Sequence, residues 1–185
     1  VFNFGYSRKG LGITVSAKSV DNMSYRSDRN KELQDLLINY LPSMNKIHTY
    51  NLVSSLYPYA TRPTGEMAFQ GEVLYTIKRG SKFGGKYGTS INANFSTAYL
   101  PNIDVSGVNP LDSTGVAYST GFFDVSDSLL WQDINVSVYK KFSKKLNVRL
   151  SYFNLTVNND VSKISETAKG MINSNIGVVE VGYKI

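Results

Sequence analysis

The chain has one histidine, His48, and it is the first residue to consider for catalysis. A Ser-His-Asp site for acyl transfer needs a serine nucleophile beside the histidine and a carboxylate that orients the ring. Ser43, Ser54, Ser55 and Asp35 are the available residue types, but no motif ties any of them to His48. A lone histidine in a loop is more often incidental than catalytic. We therefore predict that the protein is not an enzyme and has no catalytic residue.

The sequence also contains no motif for a metal site or a phosphate-binding loop. The chain has no cysteine, and no second histidine is present to complete a zinc site. The "GGKYGT" stretch at 84–89 lacks the spacing of a phosphate-binding loop and reads as turn glycines. Loop acids of a type that binds calcium occur without calcium-loop spacing, at Asp104, Asp112, Asp124, Asp127 and Asp160. We predict no metal and no cofactor.

Other polar residues recur at every second position of segments that otherwise carry apolar side chains. The stretch "YGTSINANFSTAYL" at 87–100 shows the pattern, with apolar residues at odd numbers and small or polar ones at even numbers. Alternate residues of a strand point to opposite faces of a sheet. We predict that the polar face lines the lumen of a barrel, through Glu72, Lys78, Asn92, Asn94, Arg149, Glu180 and Lys184.

Seven strands are predicted to carry these residues. Alternation places them over 1–7, 11–18, 69–78, 87–100, 131–142, 147–157 and 175–185. Tight turns alternate with long loops, which cover about 21–66, 100–130 and 158–171. Outer-membrane barrels have this arrangement, with tight periplasmic turns and long extracellular loops. We therefore predict an all-β fold, in which 1–185 is a single segment of an antiparallel up-and-down transmembrane β-barrel.

The apolar face of the predicted strands would then contact lipid. Tyr87 and Tyr99 are twelve residues apart on that face, about 40 Å along a strand. A tilt of about 40° shortens this to roughly 30 Å, close to the thickness that a barrel must cross. We predict that Tyr87, Tyr99 and Tyr183 belong to the aromatic girdles of the barrel.

The first long loop contains a predicted short amphipathic helix at 28–41. Its leucines follow helical spacing, Ser27 or Asp28 can cap it, and Pro42 ends it. The apolar stripe either packs on the rest of the loop or docks a partner. For the second alternative, the contact residues are Leu33, Leu36, Leu37, Tyr57 and Tyr59.

Composition and charge narrow the class of protein. With 42% hydrophobic residues and no run of about 18 apolar residues, the chain is not a helical membrane protein. The net charge is +6, but the basic residues fall at separated turns and form no nucleic-acid recognition motif. We predict no nucleic-acid partner. Seven strands beginning on the extracellular side would break the even strand number of bacterial barrels, which predicts a segment incomplete at its N-terminus.

Three stretches of the chain carry a resemblance to a known family: "VDNMSYRSDRN", "HTYNLVSSLYPYATRPTGEMAFQGEVLYTIKRGSKFGGKYGT" and "VVEVGYKI", of which 57–88 is the most specific part. In these stretches the chain resembles a family of uncharacterised Bacteroidota outer-membrane β-barrel proteins. The resemblance implies that the chain is a C-terminal portion of a larger barrel. It carries no functional residues over to this sequence.

These observations favour an outer-membrane β-barrel in a bacterial outer membrane, with a structural, transport-associated or complex-subunit role and no chemistry of its own. Its expected partners are the lipid bilayer, lipopolysaccharide and other outer-membrane subunits at the long loops. The alternative is a soluble β-barrel or sandwich whose apolar residues converge on a small ligand. An outer-membrane enzyme built on His48 is a third hypothesis.

Overall fold

A computed structural model describes residues 1–23, 25–28, 30–31, 36–56, 58–105, 118–162, 167 and 169–185. Seven strands form one sheet in the order β1-β2-β3-β4-β5-β6-β7, and each neighbouring pair is antiparallel. Within the described parts of the connections there are two short helices, α1 at Asn51–Leu56 and α2 at Asn159–Ser162. The strands are β1 Phe2–Arg8, β2 Leu11–Asp21, β3 Gly65–Ile77, β4 Thr89–Pro101, β5 Val125–Lys141, β6 Leu146–Asn158 and β7 Met171–Tyr183.

The predicted all-β fold with seven antiparallel strands in up-and-down order is confirmed. Strands β1 and β7 are the two ends of the strand order, and the sheet formed by the described residues is not closed. Closure into a barrel therefore stays a prediction.

The strands extend further toward the long connections than their alternation alone indicated. Strand β5 begins at Val125 instead of 131, and β3 begins at Gly65 instead of 69. Register shifts between β4 and β5 near Tyr99 mark an irregularity at that end. At the other end, β4 begins at Thr89, so Tyr87 lies in the preceding turn instead of in the strand.

The helix predicted at 28–41 is wrong where the structure describes it. Ser27 N donates to Leu36 O at 3.1 Å and Ile38 N donates to Tyr25 O at 2.9 Å, so this part of the loop folds back on itself. Leu36 has a positive φ of 50°, which no α-helix contains. Residues 29 and 32–35 of the predicted helix lie outside the described residues. Helical leucine spacing misled because it takes no account of these backbone partners.

Cross-strand register gives the sheet two faces of opposite chemistry. The covered face carries Glu72, Asn94, Asn135 and Phe153 on four successive strands, among others. The open face carries the residues between them, such as Val73, Ala93, Val136 and Tyr152. The apolar set identified from the sequence thus lies on one face and the polar set on the other.

Residues 42–61, apart from 57, lie against the covered face and are here called the covering segment. A core of buried apolar residues forms beneath it toward the long-connection end, where Val53 of α1 meets Trp131, Phe153 and Leu155. Tyr59 of the covering segment stacks on Trp131, with ring centroids 4.9 Å apart. The rest of the covered face, toward the tight turns, is mostly polar, with Leu74 as an exposed apolar residue on it.

Candidate functional site

The most buried charged pair lies at the long-connection end of the covered face. Lys18 on β2 and Glu66 on β3 approach to 2.8 Å, with side chains 3% and 0% exposed. Lys18 Nζ also donates to Thr61 Oγ1 at 2.5 Å and to Pro42 O at 2.9 Å. All three protons of the ammonium group thus have acceptors, which a buried cation requires. The pair ties the covering segment to the first strands of the sheet.

Glu66 is also an acceptor for the covering segment. The Tyr59 hydroxyl donates to Glu66 Oε2, and Arg62 N donates to the same oxygen at 2.8 Å. Burial raises the pKa of the Tyr59 phenol well above its usual range, and the Glu66 carboxylate raises it further. The phenol therefore stays protonated and keeps its donor role.

A second contact joins the covering segment to the middle of the sheet. Lys46 Nζ lies 2.6 Å from Glu72 Oε1 on β3 and also donates to Asn92 Oδ1 on β4. Asn92 Nδ2 donates to the same Glu72 oxygen at 3.1 Å. Lys46 thus forms an ion pair with one predicted lumen residue, Glu72, and a hydrogen bond with another, Asn92.

The lone histidine forms the third contact. His48 Nε2 lies 2.6 Å from Asp133 Oδ2 on β5, and Asp133 is fully buried. Asn135 Nδ2 donates to both oxygens of Asp133 at 3.1 Å. The His48 ring meets Phe153 edge-on, with centroids 5.0 Å apart. The imidazole lies between the Asp133 carboxylate and the Phe153 ring, so His48 attaches the covering segment to β5 and β6.

The fourth contact reaches the last two strands. The Tyr50 hydroxyl donates to Glu180 Oε2 on β7 at 3.0 Å, and Arg149 Nη1 lies 4.0 Å from the same oxygen. The Arg149 guanidinium sits over the Tyr139 ring at 5.6 Å. The covering segment therefore contacts acidic or basic side chains on β2, β3, β5 and β7.

A cavity of about 480 Å³ remains between the covering segment and strands β3 to β6. Lys46, His48 and Tyr50 form one wall. Asn92, Asn135, Ser137, Tyr139, Arg149 and Ser151 lie on the opposite side, with Ser137 and Ser151 hydroxyls 2.8 Å apart. The wall is polar, and its lysine and arginine each lie beside a carboxylate: Lys46 beside Glu72 and Arg149 beside Glu180.

The structure brings together five of the seven residues predicted to face a lumen. Glu72, Asn92, Asn94, Arg149 and Glu180 lie on the covered face, where Asn94 is buried and accepts from Gln70 at 3.1 Å. Lys78 and Lys184 instead lie just beyond strand ends and are exposed.

The remaining predicted residues are dispersed. Tyr99 and Tyr183 lie on the open face, and Tyr87 in its turn receives the Lys141 ammonium over its ring at 5.4 Å. Leu36 is exposed, Leu37 is half-buried and pairs with Arg26, and Tyr59 faces the core. Leu33 and Tyr57 lie outside the described residues.

Sequence reasoning missed the residues that fix the covering segment. Lys18, Lys46 and Glu66 were not identified, and His48 was considered only as a catalytic residue. The one available signal was the position of Lys18 and Glu66 at the long-loop ends of otherwise alternating strands. Nothing in the spacing of Lys46 or His48 indicates which strand each contacts.

Among the described residues, His48 Nε2 contacts the Asp133 carboxylate and is not hydrogen-bonded to a serine nucleophile. Asp35, the carboxylate considered beside it, lies outside the described residues. No group of three or more residues able to hold a metal ion occurs in the part of the chain that the structure describes. No described helix is both long and apolar enough to cross a membrane.

A protein-family model described as "Family of unknown function (DUF6029)" matches residues 1–185 of the chain. Neither the curated proteins nor the solved structures contain a match.

Proposed function

We propose that this chain, which belongs to the DUF6029 family, forms part of the wall of a bacterial outer-membrane β-barrel. In this proposal the open face contacts the acyl chains and the covering segment fills the interior. The role is structural, or associated with transport or with a larger complex, and the chain carries out no chemistry of its own. The long connections face the lipopolysaccharide side, where other subunits can bind.

The observation that carries the proposal is the exposure of apolar side chains along the open face. Phe95 on β4, Leu150 on β6 and Val179 on β7 are 43%, 52% and 68% exposed. A sheet with one face in water presents polar residues on that face, and this sheet presents the reverse. Exposed apolar patches larger than a few hundred Å² mark interaction or membrane surfaces. Others on this face are Phe2, Phe4, Tyr6, Val15, Val73, Tyr75, Val136, Tyr152 and Val181.

Strand length supports the same proposal. Strands β3, β4, β6 and β7 have 13 residues each, whereas about 9–11 tilted residues suffice to cross a bilayer. The tight turns all lie at one end of the sheet and the long connections at the other, which is the arrangement of outer-membrane barrels.

The covering segment favours a filled interior over an open channel. It contacts Glu72, Asn92, Asp133 and Glu180, which would otherwise project into a lumen. Buried charges are tolerated when they are paired and hydrogen-bonded. We infer that conduction, if the barrel supports it, requires the covering segment to move.

Two neighbouring valines on β7 give a matched test. Val179 lies on the open face and Val178 on the covered face. The chain has no cysteine, so a single introduced one can be labelled selectively. We expect an NBD label at Val179→Cys in reconstituted vesicles to be quenched by nitroxides on lipid acyl chains, and a label at Val178→Cys to resist quenching.

Membrane fractionation and a heated-versus-unheated gel of the full gene product complete the test. The proposal requires recovery in the outer-membrane fraction and a heat-dependent shift in mobility. A water-soluble product without a shift, whose Val179→Cys label no lipid quencher reaches, would support the soluble ligand-binding alternative instead.

A further inference from the structure

We propose that the tight-turn end of the sheet binds anionic phospholipid head groups. This inference rests on the proposed membrane function. It specifies the charge of the lipids that the protein binds and the end of the sheet that binds them. The basic end is defined here as residues 8–11, 78–88, 140–146 and 183–185, all of which the structure describes.

Charge is distributed unevenly between the two ends. None of the 14 Asp and Glu residues lies in the basic end. Eleven of the 20 Lys and Arg residues do: Arg8, Lys9, Lys78, Arg79, Lys82, Lys86, Lys140, Lys141, Lys144, Lys145 and Lys184. Eleven cations with no acid among them give this end a more positive potential than the net charge of +6 for the whole chain indicates.

The strand order brings these turns together in one row. Thr76 N, at the end of β3, donates to Gly10 O of the first turn at 2.7 Å. Lys140 Nζ donates to Phe83 O of the second turn at 3.2 Å. Lys184 N donates to Lys145 O of the third turn at 2.8 Å. The cations are distant in sequence but line a common edge.

Exposed aromatic residues lie among the cations. Phe83, Phe142 and Tyr183 are 71%, 56% and 66% exposed. Lys140 Nζ lies 5.5 Å from the centre of the Phe142 ring. Aromatic side chains at this height, beside lysines, are characteristic of the boundary between acyl chains and head groups.

The combination of exposed cations and exposed aromatic residues indicates what kind of partner the basic end binds. The row of cations directly adjoins the apolar open face, so its partner should present negative charge immediately beside hydrocarbon. An anionic phospholipid does this, and basic residues at a membrane surface are attracted to the head groups of such lipids. Nucleic acid offers the charge but no hydrocarbon for the exposed Phe83 and Phe142.

The test uses spin-labelled lipids in vesicles that contain the reconstituted full gene product. Electron paramagnetic resonance measures how much spin-labelled phosphatidylglycerol, compared with spin-labelled phosphatidylcholine, is immobilised at the protein. We expect at least about a two-fold preference for phosphatidylglycerol at low salt, which falls as salt screens the surface.

Matched variants locate the effect. Lys144→Gln with Lys145→Gln removes two charges from the basic end, and Lys31→Gln with Lys169→Gln removes two from the long connections. We expect the first pair to lower the preference and the second to leave it unchanged. The heat-dependent gel shift confirms that each variant is folded.

Each outcome assigns success or failure to one proposal. Equal immobilisation of the two lipids, or equal loss in the two variant pairs, would overturn the head-group proposal and leave the membrane function standing. If neither lipid is immobilised, the proposed membrane function itself fails.

Discussion

Lys18 and Glu66 illustrate how single residues tie the covering segment to the sheet. Each is almost completely buried, and the Lys18 ammonium group contacts Glu66 on β3 and both ends of the covering segment, at Pro42 and Thr61. A buried ion pair adds little net stability when compared with apolar residues of the same size. Its effect appears when one partner is removed, because the other charge is then left without compensation.

Replacing Lys18 with methionine should destabilise the protein by about 3–5 kcal/mol, because Glu66 would stay buried without its cation. Denaturant unfolding can be followed by the fluorescence of Trp131, the single tryptophan, which stacks on Tyr59 close to Glu66. The double variant Lys18→Met with Glu66→Gln should recover most of the loss, since no unpaired charge remains. Equal losses in the single and double variants would contradict this account.

Among the elements, the strands could be predicted and the covering segment could not. In Leu11–Asp21 and Thr89–Pro101, apolar and polar residues alternate along the sequence. The strands and their two faces can therefore be predicted from the sequence of each segment alone. The covering segment is fixed by Lys46 and His48, whose partners lie 26 and 85 residues away. No local pattern encodes such pairing, and this is why His48 was first considered for catalysis.

The false helix at 28–41 has the same cause. Leucine spacing there satisfies a helical template, but Ser27 and Ile38 find backbone partners across the loop. The actual helix, Asn51–Leu56, has only six residues and buries one of them, Val53. An element this short owes its stability to packing against Trp131 and its neighbours, because isolated helices of this length are unstable in water.

The contacts of Lys46 and His48 should hold the covering segment against the sheet. Hydrogen bonds to charged groups contribute about 1.5–3 kcal/mol each, so Lys46→Ala with His48→Ala should speed local opening by at least about ten-fold. Hydrogen exchange measured by mass spectrometry on peptides from 42–56 provides the measurement.

Ile47 is the control for that experiment because its side chain is 91% exposed. We expect Ile47→Ala to leave exchange in the covering segment unchanged. Unaltered exchange in the Lys46 and His48 double variant would mean that the apolar core alone holds the segment.

On the scale of the whole molecule, the two faces reverse the usual relation between polarity and exposure. Asp133 and Asn135 are buried, whereas Val136 beside them is exposed. In the proposed barrel, the open face would contact acyl chains, which accommodate exposed apolar side chains. Depth in the bilayer would then be a measurable property of each open-face position.

Arginine substitutions at two depths should therefore differ in cost. Val136 lies near the middle of β5, and Ile77 is the last residue of β3, directly before the basic end. Both residues lie on the open face. We expect Val136→Arg to destabilise the protein folded in vesicles by about 2–4 kcal/mol and Ile77→Arg by about 0–1 kcal/mol. Urea unfolding in vesicles measures both, and equal costs would argue against a bilayer around this face.

The covering segment also constrains the order of folding. It follows β2 in the chain, yet the Tyr50 hydroxyl bonds Glu180, which is 130 residues away on the last strand. Contacts of such sequence separation form slowly, since the intervening chain must be arranged first. The contact between Tyr50 and Glu180 can therefore form only after β7 has joined the sheet, so the covering segment reaches its final position late in folding.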